Sequence, residues 1–287
     1  MTKFEAVTNK NEPLVPMTVS QCAKHIKQPR GGYIKRTDFD TTKHFDEPID
    51  SSIENISPSL VGLTVDYLTR FMIINDAKAA FDIPLKGVRS IESAKDGLLG
   101  SIITTNLGED YNAEKVYNDL IDEIYDCLDN KVIISAAKLS GFDIAYRRSP
   151  YDFYGVDDIN PDIETCSHIR QLVDRTLEIL KYYGPVIDTG FDFKGAYTSN
   201  IVNGDADYLT KDTLWDLKVI KGYITKDHIF QLLLYWRLGM KSNKETFEKI
   251  KYIGIINPRR GESYRYDLSN IDNELVEFID NDVIGYE

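Results

Sequence analysis

Cysteine is scarce in this chain. Its 287 residues include only Cys22, Cys127 and Cys166, which lie far apart and form no CxxC pair. Three thiols cannot all pair with one another, and they are too few for a four-thiolate zinc or iron–sulfur site. We therefore expect buried free thiols.

Long hydrophobic runs are also missing. No stretch approaches the ~18 apolar residues of a membrane-spanning helix. The N-terminal MTKFEAVTNKNEPLVP lacks the apolar run of a secretory signal. The sequence thus predicts a cytoplasmic protein with no membrane partner.

Positive charge is in the minority. Lys and Arg number 34 against 46 Asp and Glu, a net charge of −12, which argues against a protein that wraps nucleic acid. Residues 211–265, however, hold 12 Lys and Arg against 6 Asp and Glu, a local +6 that leaves −18 for the remainder. This basic island could hold a phosphate backbone. Solvated lysines scattered over a surface explain the same count.

Hydrophobic residues make up 42% of the chain, enough for a packed core. Prolines and glycines predict an irregular segment over residues 1–56. Apolar periodicity and turn signals predict helices at 58–71, 113–128, 132–146, 161–183 and 226–240, and strands at 186–193, 200–209, 213–220 and 252–256. Residues 267–287 carry seven acidic and no basic side chains. We expect a solvated acidic helix there, with covering of the basic island as the alternative.

Charged residues interrupt two neighbouring predicted strands. Asp205 and Asp207 share one face of the first strand, and Asp216 and Lys218 share one face of the second. A turn at 210–212 makes the strands a hairpin, which brings two carboxylates and an amine together. Two carboxylates suit a divalent cation such as Mg²⁺, which can polarise a phosphate and acidify a bound water. The lysine could orient that water, and an ordinary salt-bridged hairpin is the alternative.

Three motifs follow one another in this part of the chain: Gly204-x-x-Asp207, Asp216-x-Lys218 and Gln231-x-x-x-Tyr235. Together they resemble the PD-(D/E)XK nuclease superfamily, particularly its RecB-like exonuclease branch. The resemblance covers residues 161–258, about a third of the chain. It implies an α/β (α+β) fold with a restriction-endonuclease-like core: a mixed central β-sheet flanked by helices. On this interpretation residues 1–160 are a mainly helical region or insertion, and residues 161–287 are the nuclease core with its acidic tail.

The same resemblance assigns roles to residues. Asp207 and Asp216 would bind Mg²⁺ or Mn²⁺, with the Leu217 carbonyl as a further ligand, and Lys218 would serve the attacking water. Gln231 and Tyr235, four apart on one helical face, would hold the substrate strand or the lysine. Asp205 competes with Asp207 because both lie on one face, and the GxxD spacing favours Asp207.

The superfamily usually adds an acidic or histidine ligand from a preceding helix, and several residues qualify here. His168 flanks the apolar stripe of the 161–183 helix, Asp174 is intermediate, and Glu178 lies nearly opposite the stripe. Asp66, in Gly62-Leu-Thr-Val-Asp66, would replace the histidine of a GxxxH helix. A surface polar group is the alternative for each.

The predicted function is a Mg²⁺-dependent nuclease or exonuclease that hydrolyses DNA, single- or double-stranded, with RNA as a weaker candidate substrate. Aromatic and basic residues near the site could stack bases and hold phosphates, although core packing explains most of the aromatics: Tyr223, Tyr235, Trp236, Arg259 and Arg260. No GxxxxGK[ST] loop accompanies them, so no motor is implied. The alternative function is a cleavage-deficient nuclease fold that binds DNA, or a basic protein through the acidic surface. Lysine- and asparagine-rich usage hints at a phage or defence protein.

Overall fold

A computed structural model describes residues 16–286. The strands are β1 Met17–Thr18, β2 Asp40–Lys43, β3 Val186–Asp192, β4 Ile201–Asn203, β5 Asp205–Thr210, β6 Thr213–Leu217, β7 Tyr252–Asn257 and β8 Glu262–Asp267. The helices are α1 Val19–His25, α2 Pro58–Ile74, α3 Ala77–Ala80, α4 Asp82–Lys95, α5 Gly100–Leu107, α6 Ala113–Ile121, α7 Asn130–Ser140, α8 Asp143–Arg147, α9 Ile163–Tyr183, α10 Lys226–Lys241 and α11 Asn273–Glu277. The fold is mixed α/β, with a mixed sheet flanked by helices.

The chain forms two compact units. One joins the described residues up to Pro48 with those from Glu178 onward, and the other is residues 49–177. The predicted boundary between residues 160 and 161 falls inside the second unit. Helix α9 begins in the second unit and ends in the first.

A six-stranded sheet in the order β2-β8-β7-β6-β5-β3 forms the centre of the first unit. Among the described strands of this sheet, only β6 and β7 pair in parallel, and α10 makes the crossover that a parallel pair requires. Leu209, Leu214 and Ile253 on one face belong to the same buried core as Leu232 and Leu233 of α10. On the other face, the Trp215 ring contacts Tyr183 at the end of α9, with centroids 4.5 Å apart.

The second unit consists of helices. Ser57 caps α2 by accepting a hydrogen bond from Leu60 N, with Pro58 in the first turn, as predicted. The predicted 132–146 helix is divided into α7 and α8. A Cβ at Gly141 would lie 2.5 Å from Ile159 Cδ1, so close packing accompanies the division.

Several other expectations about local structure are wrong. The 113–128 helix ends at Ile121, and Asp129 caps the following helix instead by accepting from Val132 N. The segment 1–56, predicted irregular, contains α1 and β2, while its residues 1–15 lie outside the described chain. The sheet also contains β8, which was not predicted although Tyr264 and Tyr266 alternate with charged residues, the period expected of a half-buried strand.

The acidic C-terminal segment is not simply solvated. It forms α11 and a π-helical turn, Phe278–Ile284, whose apolar side chains Phe278, Ile279 and Val283 are buried in the core of the first unit. Arg237 on α10 pairs with Asp280 at 2.6 Å. The prediction considered only the charges and overlooked the apolar stripe between them. Glu287, its last residue, lies outside the described chain.

In the described range, 16–286, no helix has both the length and the apolar character needed to cross a membrane.

Candidate functional site

The hairpin of β5 and β6 brings the two predicted metal ligands together. Tyr208 pairs with Trp215 and Leu209 with Leu214, so the same register places Asp207 opposite Asp216 on one face. Asp207 Oδ2 accepts a hydrogen bond of 2.6 Å from Leu217 N, directly beside Asp216. The predicted convergence of these two aspartates is therefore present in the structure.

Lys218 completes this arrangement. Its Nζ lies 2.6 Å from Asp216 Oδ2, and the side chains are 18% and 3% exposed respectively. The backbone N–H of Lys218 donates to Ile256 O at 2.9 Å, which holds the lysine against β7 although β6 has ended one residue earlier. Because both charges are largely removed from water, each depends on the other for compensation.

Helix α10 supplies the third part of the site. Gln231 Nε2 donates to Tyr235 Oη at 2.7 Å and contacts Ser20 Oγ of α1 at 3.0 Å. The Tyr235 ring stacks on Phe193, with centroids 5.5 Å apart. The predicted four-residue spacing thus gives a direct contact between Gln231 and Tyr235. The Tyr235 side chain is held by Gln231 at its hydroxyl and by Phe193 at its ring face.

The negative charges of three carboxylates act on Tyr235. Burial, and then the negative charges of Asp205, Asp216 and Asp207, hold its pKa well above its ordinary value. Three carboxylates from β5 and β6 therefore act on the end of one buried phenol. Asp205 lies in the same patch as Asp207, and Asp207 has the defined contact beside Asp216.

His228, in the first turn of α10, lies near positive charges rather than negative ones. Its burial, followed by the positive charges of Lys218 and Lys24, lowers its pKa to about 4. Its Nδ1 accepts from Thr225 N at 3.3 Å in a capping box, which suits the neutral ring. The imidazole therefore stays uncharged beside Lys218 at neutral pH.

Gly204 of the GxxD motif has a packing role. A Cβ there would lie 2.5 Å from Val19 Cγ2 and 3.3 Å from Tyr235 Cε1. Its carbonyl accepts from Tyr197 Oη at 2.6 Å. The predicted strand 200–209 is interrupted at this point: β4 pairs with β1 in a separate two-stranded sheet, and β5 enters the main sheet. The glycine lets α1 pack closely beside Tyr235.

Magnesium commonly uses one or two protein carboxylates, substrate phosphates and water. Asp207 and Asp216 match that donor set, and the three carboxylates here outnumber the one ammonium of Lys218. Across residues 16–286 no group of three or more His, Cys, Asp or Glu side chains is arranged to hold a metal ion. The residues thus fit an ion held partly by substrate and water, and Leu217 as a carbonyl ligand stays a prediction.

The helix-borne candidates have surroundings of their own. In the second unit, His168 Nδ1 lies 3.1 Å from Glu54 Oε1, and Asp66 pairs with Arg70 at 2.6 Å. Asp174 is exposed in that unit, and Glu178 is exposed at the start of the α9 section assigned to the first unit. The three motifs bring together Asp207, Asp216, Lys218, Gln231 and Tyr235, and each helix-borne ligand stays a prediction.

Two contributors to this site were not predicted. Ser20 on α1 contacts Gln231, and His228 lies near Lys218. A sequence signal did exist for α1: Thr18 and Gln21 have capping-box spacing, and both of their reciprocal hydrogen bonds are present.

Comparisons with models of protein families, with curated proteins and with solved structures found no match to this chain.

Proposed function

We propose that this protein is a metal-dependent nuclease that hydrolyses phosphodiester bonds in DNA, with a restriction-endonuclease-like core and a cytoplasmic location. One observation carries the proposal: two carboxylates, a lysine and a Gln–Tyr pair from separate segments meet at one buried patch. The predicted motifs required this meeting, and an ordinary salt-bridged hairpin would not need α10 to contribute.

The chain's own residues account for charge and orientation. Asp207 and Asp216 would hold Mg²⁺ or Mn²⁺, which when bound supplies Lewis-acid chemistry to the phosphate and to water. Lys218 would offset negative charge that develops on the phosphoryl oxygens. Gln231, fixed by Tyr235 and Ser20, would position the substrate strand or the lysine.

The direct test incubates the full chain with labelled single-stranded DNA, double-stranded DNA and RNA, each with Mg²⁺, Mn²⁺ or EDTA. We expect cleavage of DNA with metal only. Asp216→Asn and Lys218→Met should each lower the rate by about 10²-fold or more, because the first removes a carboxylate that would hold the metal ion and the second removes the positive charge that would offset negative charge on the phosphoryl oxygens.

Two variants match these changes outside the patch. Asp188→Asn removes a carboxylate that pairs with Lys244, and Lys78→Met removes an exposed lysine of the second unit. Both should cleave like the wild type. Calorimetric titration with Mn²⁺ gives a second readout, in which Asp216→Asn should weaken binding while Asp188→Asn should not. Equal activity in Asp216→Asn and Asp188→Asn would refute the assigned centre.

A cleavage-deficient binding module is the second candidate. The observation that favours it is that, within residues 16–286, no three His, Cys, Asp or Glu side chains are arranged to hold a metal ion. Tight DNA or protein binding without cleavage in any metal would select this alternative.

A further inference from the structure

A basic groove lies at the start of α10, which follows Lys218 after a short connection. A surface pocket of about 350 Å³ is lined by Lys35, Arg36, Lys226 and their neighbours. It belongs entirely to the first unit. In the described part of the chain, neither Lys35 nor Lys226 forms a salt bridge, so both ammonium groups face solvent without a carboxylate at 4.0 Å or less.

The sequence around this groove is unusually basic for so acidic a protein. Residues 24–36 contain Lys24, Lys27, Arg30, Lys35 and Arg36, and no acidic side chain. The predicted basic island at 211–265 did not include them. The fold brings this second basic segment against the first.

The groove wall is well anchored. Tyr33 packs between Phe230 and Phe278, with centroids 5.3 and 5.4 Å away. A Cβ on Gly32 would lie 2.9 Å from Lys226 Cβ, and Gly32 has a φ of +91°, which disfavours any other residue. The segment is therefore held closely against the first turn of α10.

An aromatic ring arranges the arginines beside the groove. The guanidinium carbons of Arg36 and Arg260 lie 4.2 and 3.9 Å from the centroid of the Tyr223 ring, which is 51% exposed. Arg260 is also paired with Glu262 at 2.9 Å. Arg36 has the ring contact only among the described residues, so its planar donors remain available to an anion while the ring restricts their position.

We propose that this groove binds the phosphate backbone of the DNA strand that enters the candidate nuclease site, with Lys35, Arg36 and Lys226 as the contacting groups and Tyr223 as a positioning residue. The placement supports this. Residues 219–225 link Lys218 directly to α10, so the groove and the lysine lie at the two ends of one short segment. This inference rests on the proposed function for its substrate.

The test measures binding separately from cleavage. The full chain carrying Asp216→Asn, in EDTA, is titrated with fluorescent single-stranded and double-stranded DNA at several salt concentrations. Adding K35Q, R36Q and K226Q should reduce the slope of log affinity against log salt by about 2 for single strands, since each lost phosphate contact contributes ~0.7.

A matched control removes the same charge elsewhere. Lys78, Arg89 and Lys115 are exposed in the second unit, and K78Q, R89Q and K115Q together should leave affinity and slope unchanged. Tyr223→Ala should weaken binding, whereas Tyr223→Phe, which keeps the ring, should bind like the parent. Circular dichroism checks that each variant is folded.

The outcomes separate the two proposals. Equal binding by the groove and control variants, or no DNA binding by the parent, overturns the groove while the cleavage assay still decides the nuclease. Loss of binding confined to the groove variants, with no cleavage by the wild type, supports the groove and rejects the nuclease. Competition by polyglutamate as strong as by DNA would show that the groove accepts any polyanion and would overturn the assignment to DNA.

Discussion

At the scale of residues, the charges of the candidate site are largely buried, so each must be compensated by an opposite charge. The buried carboxylate of Asp216 depends on Lys218 for compensation. Removing one member of a buried pair leaves the other uncompensated, at a cost of about 3–5 kcal/mol. The activity of a site variant must therefore be compared with its free energy of unfolding, measured by urea denaturation, as well as with its Mn²⁺ binding.

His228 should make stability depend on pH. Its folded pKa of about 4 lies below the ordinary 6.5, so the unfolded chain binds the proton first as pH falls. The free energy of unfolding is therefore unaffected by His228 well above pH 6.5, and it decreases as pH falls from 6.5 toward 4. After allowance for partial exposure, the decrease should reach about 1–2 kcal/mol at pH 5.

His228→Gln tests this because glutamine also suits the capping-box position but does not titrate. Between pH 7.5 and pH 5 the wild type should lose about 1–2 kcal/mol more unfolding free energy than the variant loses. Urea unfolding followed by circular dichroism measures the difference. His25→Gln, at an exposed histidine, is the control. If the stability difference between the wild type and His228→Gln is the same at pH 7.5 and pH 5, the buried neutral ring is contradicted.

At the scale of elements, the sequence predicted the parts with strong local signals. Ser57-Pro58 predicted the start of α2, and alternating strands with a short turn predicted the β5–β6 hairpin. Those signals are local, so no partner outside the element was needed to recognise them. Helical spacing also predicted that Gln231 and Tyr235 share one face of α10, where the structure adds a direct hydrogen bond between them.

Other elements depend on distant partners and could not be predicted in this way. Strand β2 joins the sheet only by pairing with β8, more than two hundred residues later. Ser20 reaches Gln231 because Gly204 leaves room for α1. Neither relation has a sequence period, and both arise from tertiary packing.

The C-terminal segment gives a prediction at this scale. Ile279 is fully buried, so Ile279→Ala should destabilise the first unit by about 2–5 kcal/mol. Glu277→Ala, at an exposed position two residues earlier, should change stability by about 0.5 kcal/mol or less. Thermal and urea unfolding compare the pair. Similar stabilities would mean that the segment does not pack as the structure describes.

At the scale of the whole molecule, two compact units imply two regions of cooperative stability. In the second unit, Asp143 is buried, accepts a hydrogen bond from Tyr67 Oη and pairs with Arg147 at 2.7 Å. Burial and the charge of Asp143 raise the pKa of Tyr67 well above its ordinary value, so the phenol remains a donor.

Asp143→Ala should therefore reduce hydrogen-exchange protection mainly within residues 49–177, by an amount corresponding to about 3–5 kcal/mol. Mass spectrometry of exchanging peptides localises the effect. Asp152→Ala breaks a mostly exposed pair with Arg148 and should cost about 0.5 kcal/mol or less. Uniform loss of protection across both units would show that the chain unfolds as a single body.

Asn257 fixes the short connection between the lysine and the groove. Its buried amide nitrogen donates to the carbonyls of Ile220 and Gly222, at 2.9 and 3.3 Å. These hydrogen bonds hold the segment between Lys218 and Tyr223 against the end of β7. The positions of both residues therefore depend on Asn257. Loss of these two hydrogen bonds would change the positions of Tyr223 and Lys218 together. The proposed DNA contact near Tyr223 and the position of the Lys218 ammonium would then be impaired by the same change.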